Sequence, residues 1–217
     1  MESERVSDFI RHYIPSTDSV LKELREKAEK EGVPIIRAET ESFLKTLLLL
    51  IKPQRILELG TATGYSAILM AYVTEGQEPG PERIDTIEDW EPRITEARCN
   101  IENSGYAGRI NLIKGDASKV MGSLKDIYDL VFIDAAKGQY PDYLKEAMRL
   151  TKKGSVILAD NIFQGGEILE SKYAVERRDR TIHKRIREYL DKASGDERLS
   201  TSILPVGDGM AFSVRRS

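Results

Sequence analysis

The apolar positions along the chain fall into two rhythms. In the first quarter they recur at helical spacing. Residues 3–14 and 18–31 read as charged helices, the second N-capped by Thr17 or Asp18. Gly32 and Pro34 interrupt the pattern. Residues 39–51 form a third helix with Phe43, Leu44, Leu47 and Leu48 on one face, and Pro53 stops it. Beyond that point short apolar runs alternate with helical stretches. Strands are expected at 55–60 (RILELG), 83–88 (RIDTIE), 109–116 (RINLIKGD), 128–134 (YDLVFID) and 154–160 (GSVILAD). Helices are expected at 64–74, 92–104 and 140–150, with a loop at 76–82. Strands alternating with helices predict an α/β fold of the Rossmann-like kind, a mostly parallel sheet covered on both faces.

The C-terminal part breaks this alternation. A charged helix at 177–193 is followed by two strands flanking Gly207-Asp208-Gly209. They read as an antiparallel hairpin closing the sheet edge, which brings the sheet to seven strands. The chain shows no internal repeat. We expect one domain over 1–217, with a helical segment at 1–52 and an α/β core at 53–217.

Composition narrows the class without identifying it. The 217 residues are 40% apolar and 32% charged, the balance of a soluble globular protein. A formal charge of −3 gives no global attraction for nucleic acid. Cys99, a single cysteine, excludes an intrachain disulfide, fits a cytoplasmic protein, and reads as packing filler in its helix. The charged start lacks a signal-peptide pattern, and the apolar run at 47–51 is far too short to span a bilayer, so no membrane partner is expected.

Candidate chemistry sits where strands end. The segment ELGTATGYS (58–66) joins the first strand to its helix. Gly60 permits a tight turn, and Gly64 lets backbone approach a ligand at a helix N-terminus. A dinucleotide fingerprint needs three glycines around a pyrophosphate. Here there are two, and Glu58 precedes the first. A carboxylate in that position repels a pyrophosphate and suits a cationic ligand. Glu88 ends the second strand, where an acid takes ribose hydroxyls. Asp116 ends the third, where it meets an adenine edge. An ammonium, a sulfonium, a ribose and an adenine together describe S-adenosylmethionine. Each acid alone could equally be a helix cap or a solvated strand end.

Asp134 ends the fourth strand, and Asp160 and Asn161 end the fifth. As neighbouring strands they would lie about 4.8 Å apart. Two carboxylates and an amide oxygen form a hard donor set that favours Mg²⁺ over zinc. A six-coordinate ion would keep about three positions for substrate and water. The bland alternative is two helix N-caps. Lys137 is either a solvated lysine or a base able to take a hydroxyl proton beside the metal.

ELGTATGYSAI, FIDAAKGQY and ADN together resemble the Mg²⁺- and S-adenosylmethionine-dependent O-methyltransferases of the catechol and caffeoyl-CoA type. The resemblance runs from about Val33 to the C-terminus. It implies a class I methyltransferase fold. It places metal ligands at Asp134, Asp160 and Asn161, and the catalytic groups at Lys137 and Asp134. Cofactor contacts are implied at Ile36, Glu58, Gly60, Gly64, Ser66, Glu88, Asp116, Ala117 and Asp134, and a homodimer is implied for the whole. Ala135-Ala136 stand where catechol methyltransferases carry a bulky aromatic. With the tail PVGDGMAFSVRR, they resemble a bacterial branch that includes tRNA 5-hydroxyuridine methyltransferases.

The acceptor must then be read outside the site. Residues 172–187 carry Lys172, Arg177, Arg178, Arg180, Lys184, Arg185 and Arg187 against Glu176 and Asp179. Seven minus two is +5, leaving about −8 for the remainder of a chain whose total is −3. This local patch leads us to expect a tRNA anticodon stem-loop as partner, contacted by Arg177, Arg178 and Arg180, with wobble-position 5-hydroxyuridine as acceptor. The alternative is a small catechol or caffeoyl-CoA-like phenol. An inactive S-adenosylmethionine-binding protein is the third reading, against which the intact Asp134, Lys137, Asp160 and Asn161 argue.

Overall fold

The structure is a computed structural model that describes residues 9, 12–14, 19–77, 82–171 and 173–217. Most of the helix expected at 3–14, the cap candidates Thr17 and Asp18, loop residues 78–81 and Lys172 lie outside the described residues.

Seven strands form one sheet: β1 (Arg55–Leu59), β2 (Arg83–Glu88), β3 (Ile110–Lys114), β4 (Tyr128–Ile133), β5 (Thr151–Ala159), β6 (Leu199–Leu204) and β7 (Met210–Arg215). Their order is β3-β2-β1-β4-β5-β7-β6. The first five are parallel, and β7 runs antiparallel to both β5 and β6. The helices are α1 (Ser19–Lys30), α2 (Ala38–Ile51), α3 (Tyr65–Val73), α4 (Glu91–Asn103), α5 (Ala117–Ser123), α6 (Tyr140–Arg149) and α7 (Arg180–Gly195).

Alternation along the strands divides the core into two layers. Ile56, Leu130, Phe132, Val156 and Leu158 pack with Leu21, Leu44, Leu48, Ile68 and Ile101 from α1–α4. Leu57, Leu59, Val131, Ile133 and Ile157 pack with Met121, Tyr143, Leu144, Ile186 and Tyr189 from α5–α7. The sheet is thus buried on both faces, which is why its central strands carry no polar alternation. On α2, Leu44, Leu47 and Leu48 are buried as expected. Phe43 packs beside them, with its ring 6.1 Å from that of Phe212 on β7.

Four expectations are corrected. A short helix, α5, fills the gap expected between the third and fourth strands, because Asp116 caps it by accepting from the Lys119 N–H at 3.1 Å. Its seven residues include Gly122 and carry too little apolar periodicity to be seen in sequence. Strand β5 starts at Thr151 rather than 154, running through two exposed lysines and Gly154 at φ +89°. Helix α7 starts at Arg180, so Arg177 and Arg178 sit in the turn before it. Cys99 is exposed on α4 rather than packed.

Candidate active site

The strand order reverses between β1 and β4, since β1 leads outward to β2 on one side and β4 leads to β5 on the other. Ligands in such sheets bind beyond the carboxyl ends of the strands at that switch point. A cleft of about 440 Å³ opens there. Of the expected cofactor contacts, Ile36, Gly60, Ser66, Glu88, Asp116, Ala117 and Asp134 line it. Glu58 lies buried at the end of β1, and Gly64 caps α3 at φ +84°.

Gly60 is required by geometry. Its φ is +94°, and a Cβ there would lie 2.0 Å from the Asp134 carbonyl oxygen. The close approach follows from the β1–β4 ladder continuing past its last pair, where the Asp134 N–H donates to Leu59 O at 3.0 Å. Glu88 shapes the far side. One carboxylate oxygen accepts from the Ala62 N–H at 2.9 Å, and the other accepts from the Asp89 and Trp90 N–H groups, each at 3.1 Å. Asp116 both caps α5 and lines the cleft, so its role as a cap does not remove it from the cleft.

Glu58, buried just before the cleft-lining Gly60, is the anomaly of the site. It is fully buried, and burial pushes its carboxyl up to about 7, although the Ser66 and Thr86 hydroxyls pull the other way. The Thr86 hydroxyl donates to Oε2 at 2.6 Å; the Ser66 hydroxyl acts on the carboxyl from nearby without hydrogen-bond geometry, and the buried Oε1 has no hydrogen-bond partner among the described residues. Thr63 Oγ1, in the cleft wall, is likewise buried without one. A desolvated carboxylate oxygen with no donor is what a cationic ligand would satisfy, so the residues present fit S-adenosylmethionine.

The second group lies beside this cleft. Ile133 of β4 pairs with Ala159 of β5, so Asp134 and Asp160 leave neighbouring strands at the same level. Asp160 is buried, and its carboxyl is raised to about 7 by burial and then by the Asp134 charge. Burial also raises Asp134, against the opposing pull of Asn161 and Lys137. Asn161 ties the pair together. Its backbone N–H donates to Asp160 Oδ1 at 2.9 Å, and its side-chain amide donates to Asp134 Oδ1 at 2.8 Å. It does so from φ +59°, a left-handed conformation that asparagine tolerates better than most residues. The two aspartates are therefore not N-caps of helices. They form a hard oxygen set whose mutual repulsion a divalent cation would relieve, and the donor chemistry fits Mg²⁺.

Lys137 opens a 3-10 turn (Lys137–Gln139) just past Asp134. It is half-buried, does not line the cleft, and acts on Asp134 through its charge.

Several residues of the site were not legible beforehand. The Tyr140 hydroxyl donates to the Asp160 carbonyl at 2.9 Å, and the Thr40 hydroxyl reaches Asp160 Oδ1 at 3.4 Å. Tyr65, Tyr143 and the segment 34–37 wall the cleft. Arg25 holds that segment by donating to Ile36 O at 3.1 Å and to Glu41 at 2.5 Å, and Glu41 also accepts from Tyr65 at 2.5 Å. Pro34, preceding a helix, was the one sequence signal that this segment is extended.

The basic segment is largely committed to the fold. Arg180 donates to Val175 O and Tyr173 O, Arg185 to Gly138 O, and Arg187 to Ile168 O and Glu170 O. Arg178 pairs with Glu176 and Asp179. Arg177 and Lys184 are exposed.

Comparison with known proteins agrees with this geometry. An O-methyltransferase family profile matches residues 12–216. A catechol O-methyltransferase of Mycobacterium tuberculosis is 33% identical over 83% of this chain and 80% of its own. A caffeoyl-CoA O-methyltransferase of Citrus natsudaidai is 30% identical over 99% and 97%. Among solved structures, the O-methyltransferase of Bacillus cereus in complex with SAH superposes with a TM-score of 0.83 at 25% identity, covering 98% and 97%.

Proposed function

Since the chain belongs to this O-methyltransferase family and is an S-adenosylmethionine-dependent enzyme, we propose that it methylates one hydroxyl of a small aromatic acceptor carrying two adjacent oxygens, a catechol or a caffeoyl-CoA-like phenol. The carrying observation is the buried Asp134–Asn161–Asp160 cluster beside a cleft lined by Gly60 and Ser66, with the unpartnered Glu58 Oε1 buried next to them in the chain. Bound S-adenosylmethionine supplies an electrophilic methyl group on a sulfonium. Bound Mg²⁺ supplies the Lewis acidity that makes a phenol hydroxyl acidic.

This chain's own residues do the rest. Glu58 takes the ammonium end of the cofactor. Glu88 has both oxygens aimed at backbone N–H groups, which fixes it for the ribose hydroxyls. Asp134, Asp160 and Asn161 hold the cation, with Tyr140 and Thr40 bracing Asp160 from behind. Lys137 receives the acceptor's proton. Because the deprotonated acceptor oxygen and the sulfonium neutralise each other as the O–C bond forms and the C–S bond breaks, alignment of the two supplies most of the acceleration.

The test is incubation with S-adenosylmethionine, Mg²⁺ and either catechol or caffeoyl-CoA, with the product read by mass spectrometry. A single added methyl on the phenol supports the reading, and its absence from every vicinal diol tried refutes it. A second reading, wobble 5-hydroxyuridine of tRNA, draws on the exposed Arg177 and Arg178 within the +5 segment. The donors of Arg180 are occupied by carbonyls, which weakens the expected three-arginine contact. Methyl transfer to an anticodon stem-loop that is lost in Arg177→Glu/Arg178→Glu would favour it. A homodimer is also proposed, to be checked by sedimentation.

A further inference from the structure

Arg37 stands apart from everything assigned so far. It is the residue before α2, at φ −65° and ψ 156°, and it walls the same cleft as Asp134 and Asn161. Among the described residues lining that cleft it is the one base, facing a wall that includes Glu88, Asp89, Asp116 and Asp134. Its guanidinium makes no hydrogen bond or ion pair to any described residue. The committed guanidinium groups of Arg25, Arg180, Arg185 and Arg187 make the contrast plain.

Its direction is set by packing. Gly207, in the turn between β6 and β7, has φ +59°, and a Cβ there would lie 2.5 Å from Thr40 Oγ1 and 3.7 Å from both Cβ and Cδ of Arg37. The arginine stem therefore runs along a glycine surface shared with Thr40. Residues three apart on a helix face are neighbours, with Cβ atoms about 5–6 Å apart. Thr40 in turn donates to Asp160 Oδ1 at 3.4 Å. Arg37 is thus exposed, lines the same cleft as Asp134 and Asn161, and packs beside the Thr40 that touches Asp160.

We propose that Arg37 determines acceptor specificity by pairing with an acidic group on the ring's far side from the hydroxyl pair, so that the preferred substrates are vicinal-diol aromatic acids. The inference rests on the small-acceptor reading above. With Glu88 and Asp116 assigned to the cofactor and Asp134 to the cation, Arg37 is the one base among the described residues of the cleft lining left to meet an anionic group of the acceptor, and its fork of N–H donors fixes orientation.

The experiment compares caffeate with its neutral methyl ester as acceptors for the wild-type protein, Arg37→Met and Arg37→Lys. Met keeps the apolar stem on Gly207, so folding is preserved. The expected result is a rise of about tenfold in KM for caffeate in Arg37→Met, with the ester unchanged and kcat little altered. Arg37→Lys should fall between, since it keeps the charge and loses the fork. Calorimetric titration of S-adenosylmethionine without acceptor separates the other source of a carboxylate, the cofactor's own. Loss of cofactor affinity with equal effects on acid and ester overturns the proposal. So do equal KM values for both acceptors in all three proteins. Failure of wild-type protein to methylate either acceptor refutes the acceptor class itself, and this assignment with it.

Discussion

Replacing Glu58 by Gln probes a place where burial opposes a charge. Its carboxyl is raised from an ordinary 4.5 to about 7, first by burial and further by the Asp134 and Glu88 charges. The folded state therefore holds the proton more tightly than the unfolded state. The stability this gives is fully present below 4.5 and is lost as pH rises through about 7. The cost of the buried charge is about 1 kcal/mol at about pH 5 and about 3 kcal/mol at about pH 8.5. A Gln carries no such charge. Its amide, placed where Oε1 has no partner, costs the same at both pH values and cancels in the comparison. The stability of Glu58→Gln relative to wild type should therefore improve by about 2 kcal/mol between the two pH values. For a chain of this size that is roughly 4–8 °C in Tm. Thermal unfolding of the cofactor-free proteins at both pH values measures it. The same substitution should weaken S-adenosylmethionine binding by about ten- to a hundredfold, because a charge-assisted contact is lost. A relative Tm that does not change with pH would refute the claim that Glu58 is held as a strained acid. Unchanged cofactor affinity would refute its role.

Three other outcomes follow from the same geometry. Gly60→Ala should abolish cofactor binding, since the added Cβ falls 2.0 Å from the Asp134 carbonyl at a positive φ; calorimetric titration with S-adenosylmethionine reads this directly. Chelation by EDTA should remove methyl transfer and leave cofactor affinity within about twofold, with activity restored by Mg²⁺, because the Asp134–Asn161–Asp160 cluster and Glu58 are separate groups. Lys137→Met should lower kcat by about a hundredfold or more with a small change in KM, measured by steady-state kinetics on the best acceptor, because a proton acceptor is removed while binding surfaces are untouched.

Much of the site was legible in sequence because strand ends are legible. An apolar run that stops at an acid marks both the strand and the place where its side chain meets solvent or ligand. The runs ending at Glu58, Glu88, Asp134 and Asp160 did so in a chain whose alternation already implied a parallel sheet. Asp116 needed the structure, because capping α5 and lining the cleft are compatible roles that spacing cannot separate. The basic segment shows the opposite outcome. Its charge was legible, but which guanidinium groups are bound to carbonyls depends on where Ile168, Glu170, Tyr173 and Val175 lie against α7.

The sequence by itself determined the order of elements, the parallel core and the acids at its carboxyl edge, since these follow from local periodicity and from the way a chain enters and leaves a buried strand. Tertiary structure alone decided which groups meet. Asp134 and Asp160 are 26 positions apart, and only the β4–β5 register sets them level. Thr40 reaches Asp160 across 120 positions, and Arg37 meets Gly207 across a longer span still. Such contacts are fixed by how helices pack on a twisted sheet, a property of the whole core rather than of any window of residues.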